Sequence, residues 1–119
     1  MTFQRKKLGA VGEELAAQFL FQKGYRILAR NLKTQYGEID IVATDGSTTV
    51  IVEVKTKSGT SFGGPAEMVT KHKQQKLRLL AYLYAGEHSL ADYRIDVIAI
   101  DLPPHGQPSI EHLISAVEG

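Results

Sequence analysis

Two short runs of this chain carry charge at positions where a buried strand is usually apolar. Glu38 and Asp40 alternate with Ile39, Ile41 and Val42, and Glu53 and Lys55 alternate with Val52 and Val54. Side chains along a strand point alternately to its two faces, so Glu38 and Asp40 share a face, as do Glu53 and Lys55. Asp45-Gly46 between the runs is a turn signal and predicts an antiparallel hairpin. A register that joins the charged faces makes Asp40 and Glu53 neighbours, with Lys55 beside them. Two carboxylates about 4 Å apart repel by roughly 4 kcal/mol at an effective dielectric of about 20. An ion pair with Lys55, protonation of one acid, or a bound divalent cation could relieve that repulsion.

The count of charges points to the cation. A third acid, Glu13, lies on the flank of an apolar helix face and could reach the sheet edge that the helix covers, whereas its neighbour Glu14 points away as a solvated charge. Acids then outnumber the lysine. Mg²⁺, or Mn²⁺ in its place, suits a site of one or two carboxylates, a carbonyl, waters and a substrate phosphate, with the Val54 carbonyl as a candidate ligand. The chain has no cysteine and its four histidines are scattered, which argues against zinc. The chemistry that fits is hydrolysis of a phosphodiester, with Lys55 orienting the water and stabilising developing negative charge. Glu38 is either an outer acid of the same group or a solvated one. Lys73 could add positive charge.

The elements that must position these residues are legible in outline. Leu8 to Lys23 is predicted as an amphipathic helix with Leu8, Gly12, Leu15, Ala16, Phe19 and Leu20 on its apolar face and Gly24 as its stop. Phe21 falls on the polar side. Tyr25–Asn31 alternates as a strand, and the charged hairpin follows over 38–44 and 49–57. The glycine-rich segment 58–65 leads to a second helix over Ala66–Tyr84, with Pro65 suited to its first turn. Its apolar stripe is Val69, Leu77, Leu80, Ala81 and Tyr84, and Lys73 interrupts that line. Tyr93–Leu102 is the most apolar strand candidate, with Arg94 and Asp96 a structural pair on one face. Pro103 to Gly106 is a loop, and the tail 109–117 is read as a strand. The order α-β-β-β-α-β implies an α/β fold with a mixed sheet flanked by helices, in one domain over 1–119.

Fourteen Lys and Arg stand against thirteen Asp and Glu, so global charge does not indicate a nucleic-acid partner. A basic surface would have to come from local clustering of Lys55, Lys57, Lys71, Lys73 and Lys76 around the second helix, giving weak, salt-sensitive binding. Phe62 is read as a core anchor rather than a base-stacking residue, and His72 and His112 as surface residues. The N-terminus does not read as a signal peptide and no stretch reads as a membrane span, which is compatible with a cytoplasmic protein without membrane partners.

An Asp on one strand followed by Glu-x-Lys on the next resembles the PD-(D/E)xK nuclease superfamily, the restriction-endonuclease-like αβββαβ core. The chain is more closely similar to the uncharacterised bacterial YraN family, a Holliday-junction-resolvase-like branch. The likeness spans GEELAAQFL (12–20), RN (30–31), GEID (37–40), VEVK (52–55), FGGP (62–65), the helix containing Lys73, and RIDVIAI (94–100). It implies Asp40 and Glu53 as metal-binding acids, Lys55 as the catalytic lysine and Glu13 as a helix-borne catalytic acid. It also implies DNA, branched DNA included, as substrate, and a homodimer, because two strands must be cut. Ile39 stands where the superfamily has proline. The alternatives are a non-cleaving nucleic-acid-binding module of the same fold and a protein-interaction adaptor.

Overall fold

The computed structural model describes residues 2–59 and 69–118. Its elements run α1 (Thr2–Gln22), β1 (Arg26–Thr34), β2 (Gly37–Asp45), β3 (Thr48–Lys57), α2 (Lys71–Glu87), β4 (Tyr93–Asp101) and β5 (Ser109–Val117). The five strands form one sheet in chain order, β1-β2-β3-β4-β5. Only β3 and β4, joined through α2, are parallel; the other three neighbours are antiparallel. This is the expected mixed sheet with its αβββαβ order, and the tail is the strand β5.

Each helix covers one face. On β3, Val50 and Val52 pack with Ala16, Ala17 and Leu20 of α1, while Ile51 packs with Leu77, Leu80 and Ala81 of α2. Period-two alternation therefore feeds two separate cores from one strand. β4 does the same, with Ile98 and Ile100 toward α1 and Ile95 and Val97 toward α2.

α1 ends as its sequence requires. Gly24 takes a φ of 95°, its N–H donates to the Phe21 carbonyl at 3.0 Å, and the Tyr25 N–H donates to the Leu20 carbonyl at 2.9 Å. These two bonds close a Schellman motif, and Leu20 and Tyr25 join the same core. Gly12 lets α1 lie close on β3, because a Cβ there would stand 1.9 Å from the Thr56 Oγ1.

α2 starts later than the sequence predicts. Thr70 is its N-cap, with a side chain that accepts the Lys73 N–H at 3.2 Å. A capping threonine outcompetes helical continuation upstream of it. Val69 therefore precedes the helix instead of belonging to its stripe, although it is buried in the α2 core. Pro65, the FGGP segment with Phe62, and the predicted helix start at Ala66 lie outside the described residues. Among the described residues, no helix is long and apolar enough to cross a membrane.

The pairing between β2 and β3 stops partway. Its innermost pair on this side is Ile41 with Val52. Beyond it, Gly37 to Ile39 pair with β1 alone, and Glu53 to Lys57 pair with β4 alone. The sheet thus forks, and the charged runs lie on the two prongs.

Candidate active site at the sheet fork

The fork is bridged by a carboxylate instead of a backbone ladder. The Val54 N–H, which a continued β2 strand would have engaged, donates to Asp40 Oδ2 at 2.8 Å. Asp40 is half-buried between the prongs and within hydrogen-bonding reach of both Glu13 and Glu53. Glu53 in turn pairs with Lys55 at 3.2 Å, with both side chains less than one-fifth exposed. Glu13 from α1, Asp40 from β2, and Glu53 to Lys57 from β3 line one cleft of about 580 Å³. The sequence expectation that Asp40, Glu53, Lys55 and Glu13 converge is met in position.

The acids are not balanced by the bases near them. Burial, and next the Glu53 charge, push the Asp40 carboxyl from its ordinary 3.8 to about 8, against the pull of the Val54 N–H. Burial also raises Glu13, offset in part by its bond to Asp40. Glu38 joins this group: it offers an oxygen that lies, with one each from Glu13 and Asp40, within 4.8 Å of the others. The most compact trio of acids is therefore Glu13, Glu38 and Asp40, with Glu53 touching it through Asp40. Sequence reading left Glu38 either an outer acid of this group or a solvated one; its side chain is exposed and lies beside Glu13 and Asp40.

Two amines face the acids. Burial opposes the charge on Lys55, but contact with the Lys73 amine and the charge of Glu53 outweigh burial and raise its pKa. Lys73 is lowered, first by contact with Lys55 and then by burial. Two adjacent ammonium groups repel, and the lysine held by Glu53 keeps its proton better. The break that Lys73 makes in the apolar stripe of α2 is thus explained: it reaches from the second helix to the fork. Of the other lysines, Lys57 lines the cleft. Lys71 is exposed in the first turn of α2, and Lys76 lies against Gly37.

Asn31 is the residue that sequence reading missed. With its amide nitrogen turned toward Glu13, it donates to both carboxylate oxygens, at 2.8 and 3.2 Å. Its φ of 51° is left-handed, a conformation asparagine tolerates better than most residues. It stands on β1 between Arg30 and Leu32, whose partners Ile41 and Ile39 flank Asp40. Its sequence signal is the RN pair (30–31) within the family likeness, to which sequence reading attached no role. Glu14, by contrast, is exposed and pairs with Arg30 at 3.0 Å, a solvated charge as expected.

His112 corrects an expectation. It is not at the surface: its side chain is 4% exposed, and its Nε2 lies 2.8 Å from Asp96 Oδ2. Pairing of β5 with β4 sets it opposite Ile98, on the α1 face, where only a bonded imidazole is tolerated. Arg94 and Asp96 do form the predicted pair, at 3.1 Å.

The geometry gains context from similar proteins. A protein of Nocardia farcinica is 47% identical over 111 residues, covering 92% of this chain and 87% of its own. One from Herpetosiphon aurantiacus is 48% identical over 118 residues, covering 94% of each chain. One from Caldanaerobacter subterraneus is 40% identical over 116 residues, covering 94% of this chain and 95% of its own. Each is named a UPF0102 protein. Residues 12–100 match the family described as "Uncharacterised protein family UPF0102", a span that contains the whole fork. The chain belongs to the UPF0102 family, the YraN-like family that its sequence resembles.

Proposed function

We propose that this protein is a metal-dependent endonuclease of the PD-(D/E)xK type that hydrolyses phosphodiester bonds of DNA, branched or structured DNA in particular. The observation that carries the reading is the excess of acid at the fork: four carboxylates from α1, β2 and β3 converge beside a single carboxylate-paired lysine. Asp40 is pushed up to about 8, first by burial and then by the Glu53 charge, so a positive charge placed beside it would relieve both.

The donor set fits a hard divalent cation. Its members are carboxylates and backbone carbonyls, with no sulfur ligand available. Asp40 and Glu53, with Glu13 and the Val54 carbonyl, would hold Mg²⁺ or Mn²⁺, and Glu38 lies close enough to serve in the same group. Such an ion supplies an acidified water and charge stabilisation at the phosphoryl oxygens. Asp40 would hold the ion as a carboxylate, having given up its proton. Glu53 holds Lys55 toward the cleft, where its ammonium neutralises charge building on the phosphate. Asn31 fixes both oxygens of Glu13, so that this acid meets Asp40 in one orientation. Lys73 adds a second amine that a substrate phosphate can pair.

The test is a screen of Mg²⁺ and Mn²⁺ against duplex, single-stranded and four-way-junction DNA. Ion-dependent nicking or junction cutting that disappears in Asp40→Asn and in Glu53→Ala is the expected result. Binding without cutting under every condition would overturn the hydrolase reading in favour of a binding module. A cut in both strands needs two such sites, so the proposal includes a homodimer, checked by analytical ultracentrifugation with and without DNA.

A further inference from the structure

The basic groups near the fork continue away from it. Lys55 touches Lys73. Lys76 follows Lys73 by three residues and so lies on the same side of α2. Lys76 then packs on the turn between β1 and β2: a Cβ added at Gly37 would stand 2.9 Å from its Cε and 3.5 Å from its Nζ. Next to Gly37 is Tyr36, half exposed at the tip of that turn. Three lysines and an aromatic ring thus form one continuous path. At about 3.3 Å per residue, Tyr36 is roughly 13 Å along the strand from Asp40.

The turn is held by hydrogen bonds of its own. The Thr34 hydroxyl donates to the Gly37 carbonyl at 2.7 Å and accepts the Tyr36 N–H at 3.1 Å. Gly37 adopts a φ of 143°, and the Lys76 stem occupies the space a side chain would need. The ring is therefore presented to solvent by a pre-formed support. Among the described residues, Lys76 makes no ion pair within 4 Å, while Lys73 faces the acids of the fork beside Lys55. A line of amines ending on an exposed ring is the combination that holds a single strand: cations follow phosphates, and the ring stacks on a base. A paired base is already stacked and cannot offer its face.

We propose that Lys73, Lys76 and Tyr36 form a track for an unpaired strand leaving the fork, with phosphates along the lysines and a base stacked on Tyr36. This rests on the nuclease reading for its direction, since the track names the substrate class: a nucleic acid with a single-stranded segment next to the bond at the fork. Lys76, against Gly37, pairs the phosphate next to the stacked base.

Fluorescence anisotropy with labelled single-stranded DNA, RNA of the same sequence and blunt duplex DNA tests it, in Ca²⁺ to hold hydrolysis off. Tyr36→Ala is expected to weaken single-strand binding roughly 5- to 100-fold and to leave duplex binding unchanged, while Tyr36→Phe binds as the parent does. Lys76→Ala weakens the single strand and flattens its salt dependence. Circular dichroism confirms that each variant is folded; should Tyr36→Ala unfold, Tyr36→Gln replaces it with the same expected loss. Stacking does not read the ribose hydroxyl, so a loss on DNA or on RNA supports the track. A Tyr36→Ala protein that binds single strands as the parent does, or that loses equally on duplex, overturns it, as does absence of all nucleic-acid binding. If nothing is cut but the Tyr36 effect persists, the hydrolase reading falls and the track stands. If junctions are cut and the Tyr36 effect is absent, the reverse holds.

Discussion

Two groups of charged side chains lie within this fold, and they are built on opposite rules. At the fork, four acids share one closely paired lysine, Asp40 is pushed up to about 8, and the group opens on a cleft. On the α1 face of β4, Asp96 is fully buried, yet every bond it can make is made. It accepts from Arg94 at 3.1 Å and from the Ser115 N–H at 2.9 Å, and meets His112 at 2.8 Å. Arg94 goes on to the Tyr25 hydroxyl at 2.7 Å, and His112 Nδ1 meets Lys23 at 2.8 Å. This second network ties α1, β4 and β5 together. Buried charge by itself therefore does not mark a functional site. What separates the two is satisfaction: the network at Asp96 is closed, and the fork leaves capacity for something that is not protein.

The sharpest way to break that contrast is to neutralise one aspartate in each group. Asp40→Asn should abolish ion-dependent cleavage while the protein stays folded, because the acid it removes was already holding a proton. Asp96→Ala should act in the opposite sense. It strands Arg94, His112 and the Ser115 N–H, and should cost about 3–5 kcal/mol in urea unfolding, with cleavage per folded molecule unchanged. Loss of stability in Asp40→Asn equal to that in Asp96→Ala would erase the distinction.

Smaller effects sharpen it. Asn31→Ala frees Glu13 and should weaken Mn²⁺ binding, read by calorimetry, about 10- to 100-fold, as for residues that orient a metal ligand. Gly12→Ala forces α1 off β3 and should cost about 1–3 kcal/mol, recovered in part by Thr56→Ala, which removes the hydroxyl that the new methyl would strike. The smallest effect is on pH dependence. Asp40 binds its proton more tightly folded than unfolded, so its contribution opposes folding increasingly as pH rises from about 4 to about 8. Metal-free protein should thus lose stability over that interval through this group. The slope should flatten in Asp40→Asn, and saturating Mg²⁺ should reverse the loss at the upper end.

Much of this was readable from residues and spacing, for reasons that can be named. Asp40, Glu53 and Lys55 stood out because a period-two strand pattern makes any charge on it conspicuous. Lys73 stood out as a break in a helical stripe, and Gly24 as a helix stop. Each of these is a local signal. The role of Asn31 and the burial of His112 were not readable, because each depends on a partner far along the chain: Glu13 on α1 and Asp96 across β4–β5. The start of α2 was misplaced because the apolar Val69 fits a helical stripe, while the Thr70 cap excludes it. The tail, read as a strand, takes its place as β5 by pairing with β4.

The hydrogen bond from Val54 to Asp40 gives the molecule an internal indicator. An amide proton held by a carboxylate shifts its resonance when that carboxylate gains or loses charge, and an amide held by a neighbouring strand does not. The Val54 signal in an ¹⁵N-labelled sample should therefore titrate with Asp40 and jump when an ion displaces the proton. Occupancy of the fork could then be followed at one backbone atom, without a substrate.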